Sequence, residues 1–434
     1  MFIIITVAVL FLTALSLLAL RIFLPEFRYT WLVAAGGGFL AWLSVFAWRV
    51  QMPIQLRFSI WQPASLFSDS PTLIADGIAW AFAVSLGALC LAVIITSVAR
   101  SNFPSPLNWM GILILTSLGI LASVAGNPLT LVLIWAAIDL AELIAQLRAV
   151  ESPQLSERAV TAFASRAAGT WILLWADMFS AARDQSFDFL SAPPQAGLYL
   201  LIAAGLRLGV LPLHLPYPNE SALRRGFGTG LRMVSAASSL VLLTRIPSAG
   251  LVSPFTPYLI SLVSLAGVYG GWMWMRAPDE LTGRPFWLIG MASLAVVAAL
   301  RANPVGAAAW GCALILAGGA LFLSSEPVKR LIRVLSVGAL GISSLPFSLT
   351  ATGWNSGGSD FLPAWIILIP TQAMLMTGFI RHSQRLSTTR SGFEDQPIWA
   401  RNVYPIGIVL PLFTVLLLGF FGWDGVLQVG NWIA

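Results

Sequence analysis

The chain has 434 residues, 58% of them hydrophobic and only 10% charged, with a formal net charge of +6. Soluble domains carry roughly 25% charged residues, so this composition excludes a wetted globular surface and any water-soluble enzyme; most of the exterior must face lipid. The basic balance calls for no nucleic acid, because cations gathered on one membrane face are favoured by anionic headgroups and the membrane potential.

Runs of about twenty apolar residues mark membrane helices. They are predicted near 2–22, 30–49, 77–99, 107–125, 128–147, 164–182, 195–216, 222–244, 256–275, 285–301, 303–324, 328–351, 362–381 and 402–422. The first run lacks a basic start and is too long for the apolar core of a secretion signal, so it is expected to be a membrane span. In the second, Gly36, Gly37 and Gly38 suit close helix approach better than phosphate binding. Between spans two and three, the alternation Gln55, Leu56, Arg57, Phe58, Ser59, Ile60 predicts a short strand or hairpin. Arg166 and Asp177 interrupt the sixth span, and 382–401 is an exposed connection. Eighteen Trp fit interfacial anchoring. Cys90 and Cys312 read as small buried apolar residues, not as a disulfide or metal pair. The predicted class is an all-α polytopic membrane protein with about fourteen transmembrane helices, set in the cell inner (plasma) membrane.

Charge sets the expected orientation. Of the 24 basic residues, eighteen lie at or beside loops after odd-numbered spans, five lie on the opposite side and Arg207 lies within a span. The positive-inside rule then places both termini on the external face.

Ionisable residues within spans are costly and face protein or a water-filled path. Asp139 and Glu142, three residues apart in the fifth span, share one helical face. Arg207 and His214 lie in the seventh, on either side of Pro212; Asp177 lies in the sixth and Arg232 in the eighth. Two readings are open: a mid-membrane proton or ion path, or a buried ion pair that fixes helix packing. His214 can relay protons or cap a broken helix. In the twelfth span Gly341, Ser343, Ser344 and Pro346 form a second break. Two interrupted helices predict inverted repeats, spans four to eight and nine to thirteen, with broken helices 7 and 12; two unrelated proline kinks are the alternative.

The run Ala203 to His214 resembles the seventh-helix signature of the antiporter-like membrane subunits shared by respiratory complex I, membrane-bound hydrogenases and Mrp cation/proton antiporters. That signature has a Lys five residues before a Pro and a His two residues after it. Here Pro212 and His214 match, Arg207 takes the Lys place, and Pro216-Tyr217-Pro218-Asn219-Glu220 is similar to the loop that follows. Asp76-Gly77-Ile78-Ala79 resembles the start of the third helix, Asn127 to Trp135 the fifth, Ala309 to Ser325 the eleventh, and Leu345-Pro346-Phe347-Ser348 the break in the twelfth. The likeness runs collinearly over about 70–350. It implies an N-terminal two-helix segment with an external loop (1–76), an antiporter-like core (77–351) and a C-terminal two-helix segment (352–434).

The departures bear on chemistry. The acid expected directly after Trp135 is Ala136, the eighth-helix Lys or His falls near Ser235, and the eleventh-helix Lys falls on Gly318. A buried lysine can give up its proton; arginine stays charged. The resemblance therefore implies a membrane subunit of a complex I-like NADH:quinone oxidoreductase, or a related redox-driven pump, with its own proton translocation reduced. Its partners would be other membrane subunits and a hydrophilic redox arm. An Mrp-type antiporter subunit or ion-coupled transport partner, and a purely structural subunit, are the alternatives. No cofactor or metal is expected, since there is no Cys cluster and no glycine-rich turn after a strand.

Overall fold

The computed structural model describes residues 2–58, 70–99, 105–149, 153–181, 187–217, 225–247, 255–324, 329–355, 362–385 and 397–421. Fourteen α-helices run through them: α1 (Phe2–Phe23), α2 (Thr30–Ala47), α3 (Gly77–Thr96), α4 (Pro106–Ser123), α5 (Pro128–Ala149), α6 (Pro153–Ala181), α7 (Gly197–Leu208), α8 (Phe227–Leu243), α9 (Thr256–Arg276), α10 (Glu280–Leu300), α11 (Pro304–Leu323), α12 (Lys329–Gly341), α13 (Leu362–Ser383) and α14 (Ile398–Phe421). Two strands, β1 (Ile54–Arg57) and β2 (Thr72–Ala75), pair antiparallel with Ile54 opposite Ala75. The predicted strand is thus found at its first half, while Ser59 and Ile60 lie outside the described residues.

Starts and stops follow from local chemistry. Asp76 Oδ1 accepts the Ala79 N–H at 2.8 Å at the head of α3, and Arg245, just past α8, holds the same carboxylate. Asp279 caps α10 through the N–H groups of Leu281 and Thr282. Asn303 caps α11 through Gly306 N, with Pro304 at the first helical position. Each cap satisfies donors that lipid could not.

The chain is apolar inside and out, as a bilayer protein must be. α3, α10 and α11 are buried along nearly their whole length; α1, α2, α9 and α14 turn Phe11, Leu12, Leu40, Leu265 and Phe413 outward. Among the described residues nine helices are long and apolar enough to cross a membrane. α6 has the length, at 29 residues, but carries Glu157, Arg158, Arg166 and Asp177. It begins at Pro153, eleven residues before the apolar run, and this added stretch exposes Glu157 and Arg158 while burying Ala159 and Ala162.

The seventh and twelfth predicted spans are each interrupted: a short helix ends well before the apolar run does. α7 has 12 residues, about 18 Å of rise against a hydrocarbon core of about 30 Å. It stops where Gly209 turns left-handed at φ 73°; a Cβ there would stand 2.4 Å from His214 O, so only glycine closes this turn. α12 stops at Gly341, and the chain then passes through positive φ at Ser344 and Phe347. Pro212 and Pro346 both lie beyond these ends, exposed, and break nothing inside a helix.

Candidate functional site

One stripe of α5 carries the site. Trp135, Asp139, Glu142 and Gln146 recur every three or four residues and so stack along one helix face; all four are buried. Ala136, the position at which the resemblance places an acid, is on the exposed side. Asp139 lies one turn further on, on the same inward stripe as Trp135.

Arg207, near the end of α7, meets Asp139 as a fork: Nη1 donates to Oδ2 at 2.6 Å and Nη2 to Oδ1 at 2.8 Å. Two parallel charge-assisted bonds are among the strongest pairings two side chains make. The rest of the guanidinium is also engaged. Nε donates to Ser239 Oγ on α8 at 3.2 Å, and Nη1 to Thr170 Oγ1 at 3.0 Å on α6. Its face lies 4.1 Å from the Trp135 ring centre, a cation–π contact made in a dry setting. Gly169 of α6 makes room for this side chain, since a Cβ there would meet Arg207 Cγ at 2.8 Å.

Glu142, one turn on, gathers its donors at a single oxygen. Oε1 accepts from Gln146 Nε2 at 2.7 Å and from Arg166 Nη1 at 3.1 Å, and it pairs with Arg232 of α8. The Arg232 guanidinium lies over the Tyr217 ring at 4.0 Å, with Arg284 of α10 5.9 Å from the same ring. Arg232, Arg166 and Arg207 are all almost completely buried.

Arg166 is the residue that sequence position misplaces. Counted by order, it belongs to the loop-side cations; in the fold it joins the two acids, with Nε 3.3 Å from Asp139 Oδ1 and Nη1 on Glu142 and on Pro216 O. A signal was present. Ala159, Ala162, Arg166, Gly169, Leu173, Ala176 and Ser180 recur at three- and four-residue spacing, and all are buried. A single arginine among small residues on a helix face points inward.

The fold brings together Asp139, Glu142, Arg207 and Arg232, as three guanidinium groups on two carboxylates once Arg166 is added. It does not bring in His214 or Asp177. His214 is half-buried, with Nδ1 2.9 Å from Pro212 O and its backbone N–H donating to Gly209 O at 3.0 Å; it closes the turn after α7. Asp177 lies eleven residues beyond Arg166 on α6, about 16 Å along the axis. Pro218, Asn219 and Glu220 of the expected loop lie outside the described residues. Among the described residues no cluster of three or more His, Cys, Asp or Glu could hold a metal ion.

The network ends toward the second half of the chain. α11 contains no Asp, Glu, Lys, Arg or His. At Gly318, where the resemblance expects a lysine, a Cβ would stand 2.4 Å from Trp287 Nε1. That indole is fully buried, donates to Leu314 O at 3.3 Å and packs on Trp274 and Phe379. Ser235, at the other expected lysine place, lines a small cavity beside Glu142.

No family model matches the sequence, and no curated protein matches it. Solved structures do match in fold. A chain of the membrane-bound sulfane sulfur reductase, an archaeal respiratory membrane complex, superposes with a TM-score of 0.76 at 14% identity, over 95% of this chain and 76% of that one. A chain of the Mrp complex from Dietzia sp. DQ12-45-1b gives 0.75 at 17% identity, over 100% of this chain and 51% of that one. A chain of respiratory complex I from Thermus thermophilus gives 0.68 at 18% identity, over 97% and 98%. The chain is a multi-pass membrane protein with the fold of the antiporter-like membrane subunits. This is the fold that the seventh-helix signature implied.

Proposed function

We propose that the chain is a membrane subunit of a larger complex I-like, redox-driven assembly, and that its own proton translocation is reduced or lost. It then serves chiefly as a spacer in the membrane arm, beside other membrane subunits and a hydrophilic redox arm that holds the electron chemistry. The observation that carries this reading is the Arg207–Asp139 fork. A guanidinium keeps its proton under nearly all protein conditions, so the pair retains the charge balance of a pump site without a cation able to shed its proton. The packed indole at Gly318 supports a second interruption, because a proton passing laterally would need a titrating or hydrated group there.

On this reading the two short helices, α7 and α12, belong to inverted five-helix units within residues 77–351, and the basic side of the bundle faces the cytoplasm. An Mrp-type antiporter subunit is the second reading, favoured by the likeness to the Dietzia Mrp chain. It needs a carboxylate free to take a cation, whereas Asp139 and Glu142 are both held by arginine. Purification of the native assembly separates the two. Co-purifying subunits that carry redox centres are expected, with no sodium-dependent exchange in vesicles; sodium-driven exchange without redox subunits contradicts the proposal.

A further inference from the structure

Two buried atoms in the charge cluster have complementary chemistry and no partner. Arg166 Nη2 is a donor and Glu142 Oε2 an acceptor, and neither makes a hydrogen bond. Both side chains are almost wholly inaccessible, at 2% and 1% exposure. Both line the same cavity, whose volume is about 20 Å³. That is room for one water molecule, which needs two to four polar partners to stay. The remaining wall includes Tyr217, Arg232 and Ser235 as well as the apolar Leu208, Ala236 and Leu288.

We infer that this cavity holds a single tightly bound water, accepting from Arg166 Nη2 and donating to Glu142 Oε2. The site completes the coordination of Glu142, whose other oxygen already has three donors. It stands whatever assembly the chain belongs to. A wet polar cavity and a dry one respond oppositely to being filled. Filling a dry void adds contacts, while expelling a bound water strands both polar atoms.

Ser235 of α8 also lines the cavity. In the purified full chain, a sharp water O–H stretching band that shifts on exchange into H₂¹⁸O is expected. It should persist in Ser235→Ala, and vanish in Ser235→Val together with a fall in melting temperature. Should Ser235→Val not assemble, Ala236→Val reaches the same cavity and serves in its place. No exchangeable band in the wild type, or an unchanged band with an unchanged or higher melting temperature in the filled variant, overturns the inference.

Discussion

Asp139→Leu is expected to destabilise the folded chain by about 3–5 kcal/mol, the usual cost of stripping one partner from a buried ion pair. Asp139→Leu combined with Arg207→Met should recover a large part of that loss. Both carboxylate oxygens are in use, by Arg207 twice and by Arg166 once, so the single change leaves two guanidinium groups facing an apolar stub. The Arg207 side chain has no exposure at all, and no solvent can reach it to compensate. Removing the guanidinium as well replaces the pair by apolar groups of similar volume, which is often close to neutral. Arg207 would still forfeit its bonds to Ser239 and Thr170, so recovery is expected to be partial. The midpoint of thermal unfolding for the four chains of the cycle measures this; a loss in the double variant equal to the sum of the two single losses would mean that the two residues are not coupled.

Gly318→Lys, which installs the cation that the resemblance expects, should fail to produce a folded chain or should lower stability by at least the 1–3 kcal/mol of overpacking. The lysine Cβ would overlap Trp287, and the Phe322 ring lies 3.2 Å away on the other side. Trp287 cannot retreat easily, being wedged against Trp274 at 5.3 Å and Phe379 at 5.7 Å between ring centres. Burial of an ammonium in this apolar layer adds to the cost. Trp287→Ala in the same chain should relieve the overlap and restore folding relative to Gly318→Lys alone. Folded yield and melting temperature decide it, and wild-type stability of Gly318→Lys would show that the second-half path has room for a lysine.

Helix positions were legible because lipid demands about twenty apolar residues at a stretch, and α1, α5, α9, α11 and α13 begin or end within a few residues of the runs that marked them. The differences lie at helix ends. α6 runs eleven residues further toward its start than its apolar run, through exposed Glu157 and Arg158, and α7 and α12 stop at Gly209 and Gly341 before their apolar runs end. Gly209 and Gly341 stood at those ends in the sequence, while the reading of broken helices leaned on the prolines three and five residues beyond.

In the site, spacing alone placed Asp139 and Glu142 on one face, and in the fold Arg207 takes Asp139. Arg166 was missed because a basic residue near the start of an apolar run looks like a membrane-edge anchor. Its inward face could be read only from the small residues around it. His214 matched a motif by position, while its side chain and backbone serve the turn after α7.

The most direct test of the interrupted path is proton flux into proteoliposomes holding the assembled complex, measured per electron turnover. The Asp139→Asn/Arg207→Met chain, which removes the pair without stranding a charge, is compared with wild type in equal amounts of intact assembly. An unchanged ratio of protons to turnovers is the expected result. A collapse of that ratio, with the complex still whole, would show that protons do pass this pair and would contradict the account.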